Sequence, residues 1–561
     1  MNIYKCLSLG LFFILLYPSI TPSTSICKAN PVWVNEPFPH LSIEEIKGGL
    51  GVNVKIINDG NIVLHNILMK VEVTGGVDIK LPISSFKNSI LKPGDVWIQN
   101  IKVSGIALGI NGPLPQIMIT LLAPHAHVEN KGIVARIIGP FVFKIEEVMN
   151  TPGAFKGYTL FSPMVSLNTY LINNSGNIVY MWNRPYKPGL SVYLLEDGNL
   201  LRTACPYPNP TFPAGGAGGR IELIDPNGTL LWYFELSNNN MCLHHDVEML
   251  PNGNILAIAW EYKTYDEAVA AGRDPDRVSP SWGIWPDCIL EIHPTGNSGG
   301  EIVWEWHMWD HLIQDKYPDK NNYGNVAEHP ELIDINYPTL REGDISHINS
   351  VDYNPEFDQI LLSVHEYNEV WIIDHSTTTE EAAGHTGGRY GKGGDLLYRW
   401  GNPQTYRAGT AEDQKLFGQH DAQWIEEGCP GEGNILVFNN GWKRPNGMHS
   451  TVEEFIPPVD EDGNYYCEPG SPYGPEESFW VYNGFHSGGA FFSGNIAGAQ
   501  RLPNGNTIIC NGQKGEFFEV TMDQKVVWKY INPFPSLVDN QVFKVRKYSS
   551  DYPGIEKILH G

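Results

Sequence analysis

One short pattern recurs six times between residues 176 and 530: a turn residue, then a strand ending in aromatic side chains. The copies are Gly176-Asn-Ile-Val-Tyr-Met-Trp182, Gly228-Thr-Leu-Leu-Trp-Tyr233, Gly300-Glu-Ile-Val-Trp-Glu-Trp306, Gly394-Asp-Leu-Leu-Tyr-Arg-Trp400, Glu477-Ser-Phe-Trp-Val-Tyr482 and Gln524-Lys-Val-Val-Trp-Lys-Tyr530. Internal repetition at this scale restricts a chain to solenoids, propellers or arrays. A second component precedes the last five copies, a strand pair around a tight turn at Asp197-Gly-Asn, Asn252-Gly-Asn, Asp358-Gln, Gly433-Asn and Asn504-Gly-Asn. A third strand, such as Arg220–Asp225 or Asp287–Ile292, completes a four-stranded sheet in each unit. Six such sheets predict an all-β, six-bladed β-propeller over residues 157–555. The first unit lacks an obvious strand pair, and Gln541–Tyr548 is expected to supply its missing strand and close the ring. Seven or eight blades, with a copy unrecognised, is the alternative.

Residues 28–150 carry a different pattern. Runs such as Gly51–Ile57, Leu68–Val73 and Gln116–Leu122 alternate apolar and polar residues between turns at Asn58-Asp-Gly60 and Lys92-Pro-Gly94. That alternation predicts a small Ig-like β-sandwich as an accessory domain. Residues 1–25 read as a signal peptide, with Lys5, an apolar core from Cys6 to Tyr17, and small residues at Ser23-Thr24-Ser25. The chain is therefore expected to be exported, to a periplasm, the medium or a cell surface. A retained N-terminal anchor is the alternative, and no later stretch is apolar enough for a membrane span. Seven cysteines follow Cys6 in the sequence. In an oxidising compartment some should pair, Cys429 with Cys467 first and Cys205 with Cys242 second. A net charge of −25 argues against nucleic acid as a partner.

Aligned by their turns, the repeats place His245-Asp246 on His420-Asp421. Asn349 falls at the same position in the blade between, with His347 two residues earlier, and Leu190 and Ala497 occupy it elsewhere. In a propeller the first strand of each blade lines the central channel. His245, His347, Asn349 and His420 should thus converge at one mouth although distant in sequence. Imidazole there can act as nucleophile, as acid–base or as metal ligand. Asp246 and Asp421 read equally well as turn-formers. His244, His307, His311, His375, His385, His449 and His486 read as loop residues with structural or surface roles. The motifs of serine hydrolases, P-loop NTPases and zinc metalloproteases do not occur.

The runs His244-His-Asp-Val-Glu-Met-Leu-Pro-Asn-Gly-Asn254, Asp344-Ile-Ser-His-Ile-Asn-Ser350, Tyr398-Arg-Trp-Gly-Asn-Pro403 and Gln419-His-Asp421 together resemble the arylsulfotransferases, bacterial enzymes that work without PAPS. The resemblance spans about 157–555. It implies a six-bladed propeller and a ping-pong reaction, in which a phenolic sulfate gives its sulfuryl group to a histidine and a phenol then accepts it. It implies His420 as the nucleophile, with His245 and His347 as further catalytic residues that bind and polarise the sulfate oxygens. Asn349, His365 and Asn440 form the substrate-binding set. No cofactor and no metal are implied, and the partners are a phenolic sulfate donor and a phenolic acceptor. A second copy of the chain, as a homodimer, is left open. One departure stands out: where the family often reads Ser-Ser-Arg, this chain reads Ser363-Val-His365. Lys443 and Arg444 are alternative sources of positive charge. Two other readings remain: a metal-dependent propeller hydrolase or lyase, and a non-enzymatic binding or scaffold propeller.

Overall fold

The computed structural model describes residues 39–560 except 75–78, 108–114, 125–128, 146–147, 338–342, 485–489 and 537–538. The expected signal segment and His486 lie outside the described residues. The fold is all-β, with 45% of residues in strands and 7% in helices. No described helix is long and apolar enough to cross a membrane.

Residues 42–145 form a three-stranded sheet (Ser42–Lys47, Val52–Ile57, Val96–Ile101) and a seven-stranded sheet. Strand Val52–Ile57 alternates strictly between buried and half-buried residues. This is the period that puts every second side chain on one face. Val52, Val54 and Ile56 meet Ile67, Met69, Val71, Ile117, Ile119 and Leu121 in one core shared by both sheets.

Six sheets follow. Five run in simple chain order from strands Lys187–Leu194, Met241–Met249, Ile348–Asn354, His420–Trp424 and Gly498–Arg501. The sixth has the order Ile178–Asn183, Asn168–Asn173, Gly157–Phe161, Arg546–Ser549. The C-terminal strand thus pairs antiparallel with Gly157–Phe161, as expected, though it begins at Arg546 rather than 541. Strand Val148–Asn150 adds to the outer edge of the Gly498–Ile531 sheet by pairing with Val526–Ile531.

The recurring aromatics lie on the fourth strand of every sheet, and their polar atoms explain the repeat. Trp232 Nε1 donates to Gly299 O, Trp306 to Gly394 O, Trp400 to Pro475 O, Trp480 to Met522 O and Trp528 to Asn174 O. Each acceptor precedes the fourth strand of the next sheet. Tyr180 Oη bonds Pro226 O in the same manner and takes the series from the first sheet to the second. Each ring, buried in the five indoles and half-buried at Tyr180, thus packs one sheet while its single donor holds the next, and the series returns from the last sheet to the first.

The expected disulfides are absent. All six described cysteines are free. Cys429 packs with Leu436 and Phe438 and points its sulfur at Arg501 O, whereas Cys467 packs in the neighbouring core with its sulfur near Ser471 O. Cys242 sits among Phe212, Trp260 and Trp285, with Sγ on Leu243 O, and Cys205 faces Tyr207 O. Flanking one hairpin in sequence did not bring the thiols together, because each belongs to a different packing cluster or faces its own turn.

Candidate active site

The first strands of consecutive sheets lie side by side, bonded through backbone acceptors. Asn349 Nδ2 donates to Gln419 O, Ser350 Oγ to Ala422 O and Gln423 Nε2 to Ala499 O. Each first strand also carries an irregularity near its start, where a non-glycine residue takes positive φ: Leu190 (118°), His245 (53°), His347 (52°), Asp421 (55°) and Ile496 (44°). Left-handed backbone costs an ordinary residue roughly 1 kcal/mol or more, so the surrounding packing must hold it. At His245 the hold is visible. Its N–H donates to Gly216 O, and a Cβ on Gly216 would lie 2.0 Å from the imidazole. No residue but glycine fits there.

These irregularities bring five rings together. Centroid separations are 4.6 Å from His245 to His347, 5.4 Å from His347 to His365 and 5.4 Å from His365 to His420. The circuit closes through Phe543, 6.0 Å from His420 and 5.7 Å from His245. No two rings are more than two steps apart. The four histidines are buried, at 3, 3, 8 and 3% exposure in the order of the circuit. The alignment by turns thus found three of the four. His365, singled out as a departure, stands between His347 and His420.

Each imidazole is oriented by its own partner. His420 Nδ1 lies 2.8 Å from Asn440 Oδ1 and 3.2 Å from Gly418 O. The Asn440 amide is itself fixed, because Nδ2 donates to Ser493 O at 2.8 Å. Both neighbours of Nδ1 are therefore acceptors, so Nδ1 carries the hydrogen and the lone pair of neutral His420 is on Nε2. His347 Nδ1 meets Asp344 Oδ2 at 2.5 Å, and His365 Nδ1 meets Glu366 Oε1 at 3.0 Å. His245 Nδ1 lies 2.7 Å from Nδ1 of His244, whose Nε2 lies 2.7 Å from Asp287 Oδ1. His244 is thus no loop residue: it is buried in strand Met241–Met249 and stacks on Trp260 at 3.9 Å. Burial raises the Asp287 carboxyl, against the lowering effect of His244.

Asn349 and Asn440 sit beside the histidines, but their described contacts differ from a direct ligand pattern. Asn440 buttresses His420, while Asn349 holds the Gln419 carbonyl. Asn349 Oδ1 and Gln419 Oε1 are buried without a hydrogen-bond partner among the described residues. Arg444 is held away from the circuit by Thr451 and lies over the Phe417 ring.

Beneath the histidines lies a charged floor. Lys544 Nζ bonds Asp246 Oδ2 at 2.6 Å and Asp421 Oδ1 at 3.2 Å, and Arg546 grips both oxygens of Asp421 at 2.9 and 3.0 Å. Asp246 also accepts from Tyr193 Oη. Asp246 and Asp421 are therefore ion-pair residues, not mere turn-formers. Burial alone would raise Asp421, but Arg546 and Lys544 outweigh it and hold the carboxyl at about 2. Below the floor opens a cavity of about 1670 Å³ lined in part by Glu248, Asp352, Gln423 and Arg546 and by none of the four histidines. There burial raises Asp352 to about 7 and Glu248 well above the usual carboxylate range.

A family model described as Arylsulfotransferase (ASST) matches residues 165–457, a span that contains all four histidines and Asn440. No curated protein matches the chain. Among solved structures, a protein of unknown function from Bacteroides caccae is 13% identical, with a TM-score of 0.37, covering 70% of this chain and 98% of its own. The β-propeller domain of Cps50 (Swd1) from Myceliophteria thermophila is 9% identical (TM-score 0.34; 69% and 89% covered). Selenomethionine-substituted virginiamycin B lyase from Staphylococcus aureus is 10% identical (TM-score 0.28; 68% and 86% covered).

Proposed function

The chain belongs to the arylsulfotransferase family and is a sulfotransferase; from that premise we propose that it moves a sulfuryl group from an aryl sulfate to a phenol through a sulfohistidine at His420. The observation that carries this reading is the Ser493–Asn440–His420 series, which leaves the lone pair of neutral His420 on Nε2, inside a circuit of three further imidazoles. In the first half-reaction Nε2 bonds to sulfur as the aryl O–S bond breaks, and the electron pair leaves with the phenolate. In the second, the acceptor oxygen attacks sulfur, the N–S bond breaks, and the acceptor's proton returns to the site. As in phosphoryl transfer, the work of the protein is positioning and neutralising charge on the equatorial oxygens. His347, backed by Asp344, and His365, backed by Glu366, take that role.

His245 takes the proton-transfer role. The Asp287–His244–His245 series admits two arrangements that differ by one proton. With His244 neutral, its Nε2–H faces Asp287 and its Nδ1 accepts from His245. With His244 protonated, its Nδ1–H donates to His245 and the hydrogen of His245 moves to Nε2. A proton lent to the leaving phenolate in one half-reaction is regained from the acceptor phenol in the other.

The architecture we infer is a six-bladed propeller over 157–555, closed at Arg546–Ser549, behind an Ig-like sandwich at 28–150. The apolar segment from Cys6 to Tyr17 supports export of the mature chain. The test is turnover of a chromogenic aryl sulfate with phenol as acceptor. Wild type should release phenolate faster as acceptor rises, and His420→Ala should lose at least about a thousandfold in rate while remaining folded, with a cooperative melt. A His420→Ala protein that turns over at the wild-type rate rules this mechanism out.

A further inference from the structure

Away from the histidine circuit, between the fourth strands of two consecutive sheets, His311, His385 and Asp395 place one donor atom each within 4.8 Å of one another. We propose that they form a divalent-cation site of the zinc class. His311 Nδ1 and His385 Nδ1 each lie 2.8 Å from Asp395 Oδ1. The remaining nitrogen of His311, Nε2, lies 2.8 Å from the carbonyl of Ala382, which can only accept. Nε2 therefore carries the hydrogen, and the lone pair of neutral His311 on Nδ1 faces a carboxylate oxygen at hydrogen-bond distance. Two acceptors face to face in a buried place require a cation between them, either a proton or a metal ion. An imidazole that spends its outer N–H on a backbone carbonyl and turns its other nitrogen toward a carboxylate is how metal-ligating histidines are held.

The remaining geometry fits a built site. His311 is fully buried and stacks on Trp306 at 5.7 Å with 3° between the rings. Trp306 in turn donates to Gly394 O. Gly394 must be glycine, since a Cβ there would lie 2.0 Å from Ala382 O and 2.6 Å from His311 Nε2. The Asp395 side chain is 8% exposed and that of His385 is 59% exposed, so the third ligand closes the site from the solvent side. Two nitrogens and one oxygen with an open fourth position suit Zn²⁺, whose tetrahedral bonds of roughly 2.0–2.2 Å require both histidine nitrogens to draw back from Asp395 Oδ1, from 2.8 Å to about 3.3 Å, to admit the ion. The ion would clip the loop after strand Gly300–His307 to the excursion before Tyr398–Trp400, a structural role separate from sulfuryl transfer.

Full-length protein, stripped with chelator, re-equilibrated with Zn²⁺ and passed through a desalting column, tests this by metal analysis and thermal melting. Wild type should retain about one Zn²⁺ per chain and melt higher with zinc than without. His385→Ala, a surface change that leaves the buried pair in place, should bind at least about tenfold more weakly and lose the zinc-dependent shift, with its chelated melting temperature unchanged. Asp395→Asn should also lose the ion. Wild type without retained zinc, or His385→Ala binding as tightly as wild type, overturns the proposal and leaves His311 and Asp395 as an imidazolium–carboxylate pair.

Discussion

The two ends of the inner strands are built from opposite chemistry, although the same dipeptide supplies both. In His245-Asp246 and His420-Asp421 the imidazole turns into the histidine circuit and the neighbouring carboxylate turns into the floor below. Above, each imidazole has its own orienting partner and the circuit itself holds no fixed cation. Below, Lys544 and Arg546 meet Asp246 and Asp421 within about 3 Å. A buried ion network joins five first strands to the C-terminal segment, because Asp246 and Asp421 also accept from Tyr193 Oη and from the N–H groups of Val351 and Ala499, whereas each imidazole of the circuit is held by its own partner. The comparison predicts that substitutions in the floor change stability and substitutions in the circuit change rate.

The largest effect should come from the floor. Lys544→Met leaves Asp246 and Asp421 short of a cation in a buried place, and breaking such a pair costs about 3–5 kcal/mol. Urea unfolding of the variant should show that loss; a shift under 1 kcal/mol would mean that water compensates the floor. In the circuit, His347→Ala should lower the transfer rate by roughly a hundredfold, the effect of removing one charge-stabilising donor, and, although it takes buried Asp344 from its imidazole partner, it should move the unfolding midpoint less than Lys544→Met. Asp287→Asn is subtler. The amide keeps an acceptor for the Ile348 N–H, 2.8 Å away, but it no longer stabilises a protonated His244. We expect kcat to fall about tenfold with KM unchanged, as for other partners that orient a reacting imidazole. An equal fall in Asp287→Asn and in an Asp287→Asn/His245→Ala double variant relative to their parents would separate Asp287 from His245 and break the relay.

The smallest effect sharpens the lower half of the comparison. Asp421, held at about 2, stabilises the fold above its ordinary pKa and loses that contribution as pH falls toward 2. Asp352 has the opposite sign. Raised to about 7 by burial, it is protonated in the folded protein and ionised in the unfolded chain between about pH 4 and 7. Its share of stability is full below pH 4 and is lost as pH rises through 7. Asp352→Asn, whose amide oxygen can still accept the Trp424 N–H that Asp352 Oδ2 accepts at 2.6 Å, should match wild type at pH 4 and exceed it by roughly 1–2 kcal/mol at pH 8, since Asp352 is only half-buried at the cavity wall and solvent screens part of the effect. Equal stabilities at pH 8 would place Asp352 in open solvent.

The sequence made the repeats legible because each carries its staple in a local motif, a turn followed by an aromatic side chain with one donor, an indole in five copies and the Tyr180 hydroxyl in the first. It also made His245, His347 and His420 legible, since all three stand near the same strand start. What it hid are partners contributed from elsewhere in the chain. Asp287 lies in the third strand of its sheet, and Phe543, Lys544 and Arg546 come from the C-terminal segment; no spacing links them to the histidines. The doublet His244-His245 was the available signal for the relay, because adjacent strand residues ordinarily face apart, and only an irregular backbone lets both rings meet. His311, His385 and Asp395 escaped for the same reason, since they converge through loops around Gly394. The cysteine pairs failed because pairing was read from sequence proximity, while packing clusters decide which side chains meet.

The central claim is that His420 carries the sulfuryl group between donor and acceptor. Wild type mixed with an aryl sulfate in the absence of phenol, quenched under alkaline conditions and analysed by peptide mass spectrometry, should carry one added SO₃ on the peptide containing His420. Adding phenol before the quench should remove it. The account is contradicted if donor is consumed while His420 stays unmodified, or if the adduct forms on His245, His347 or His365 and is passed on to phenol from there.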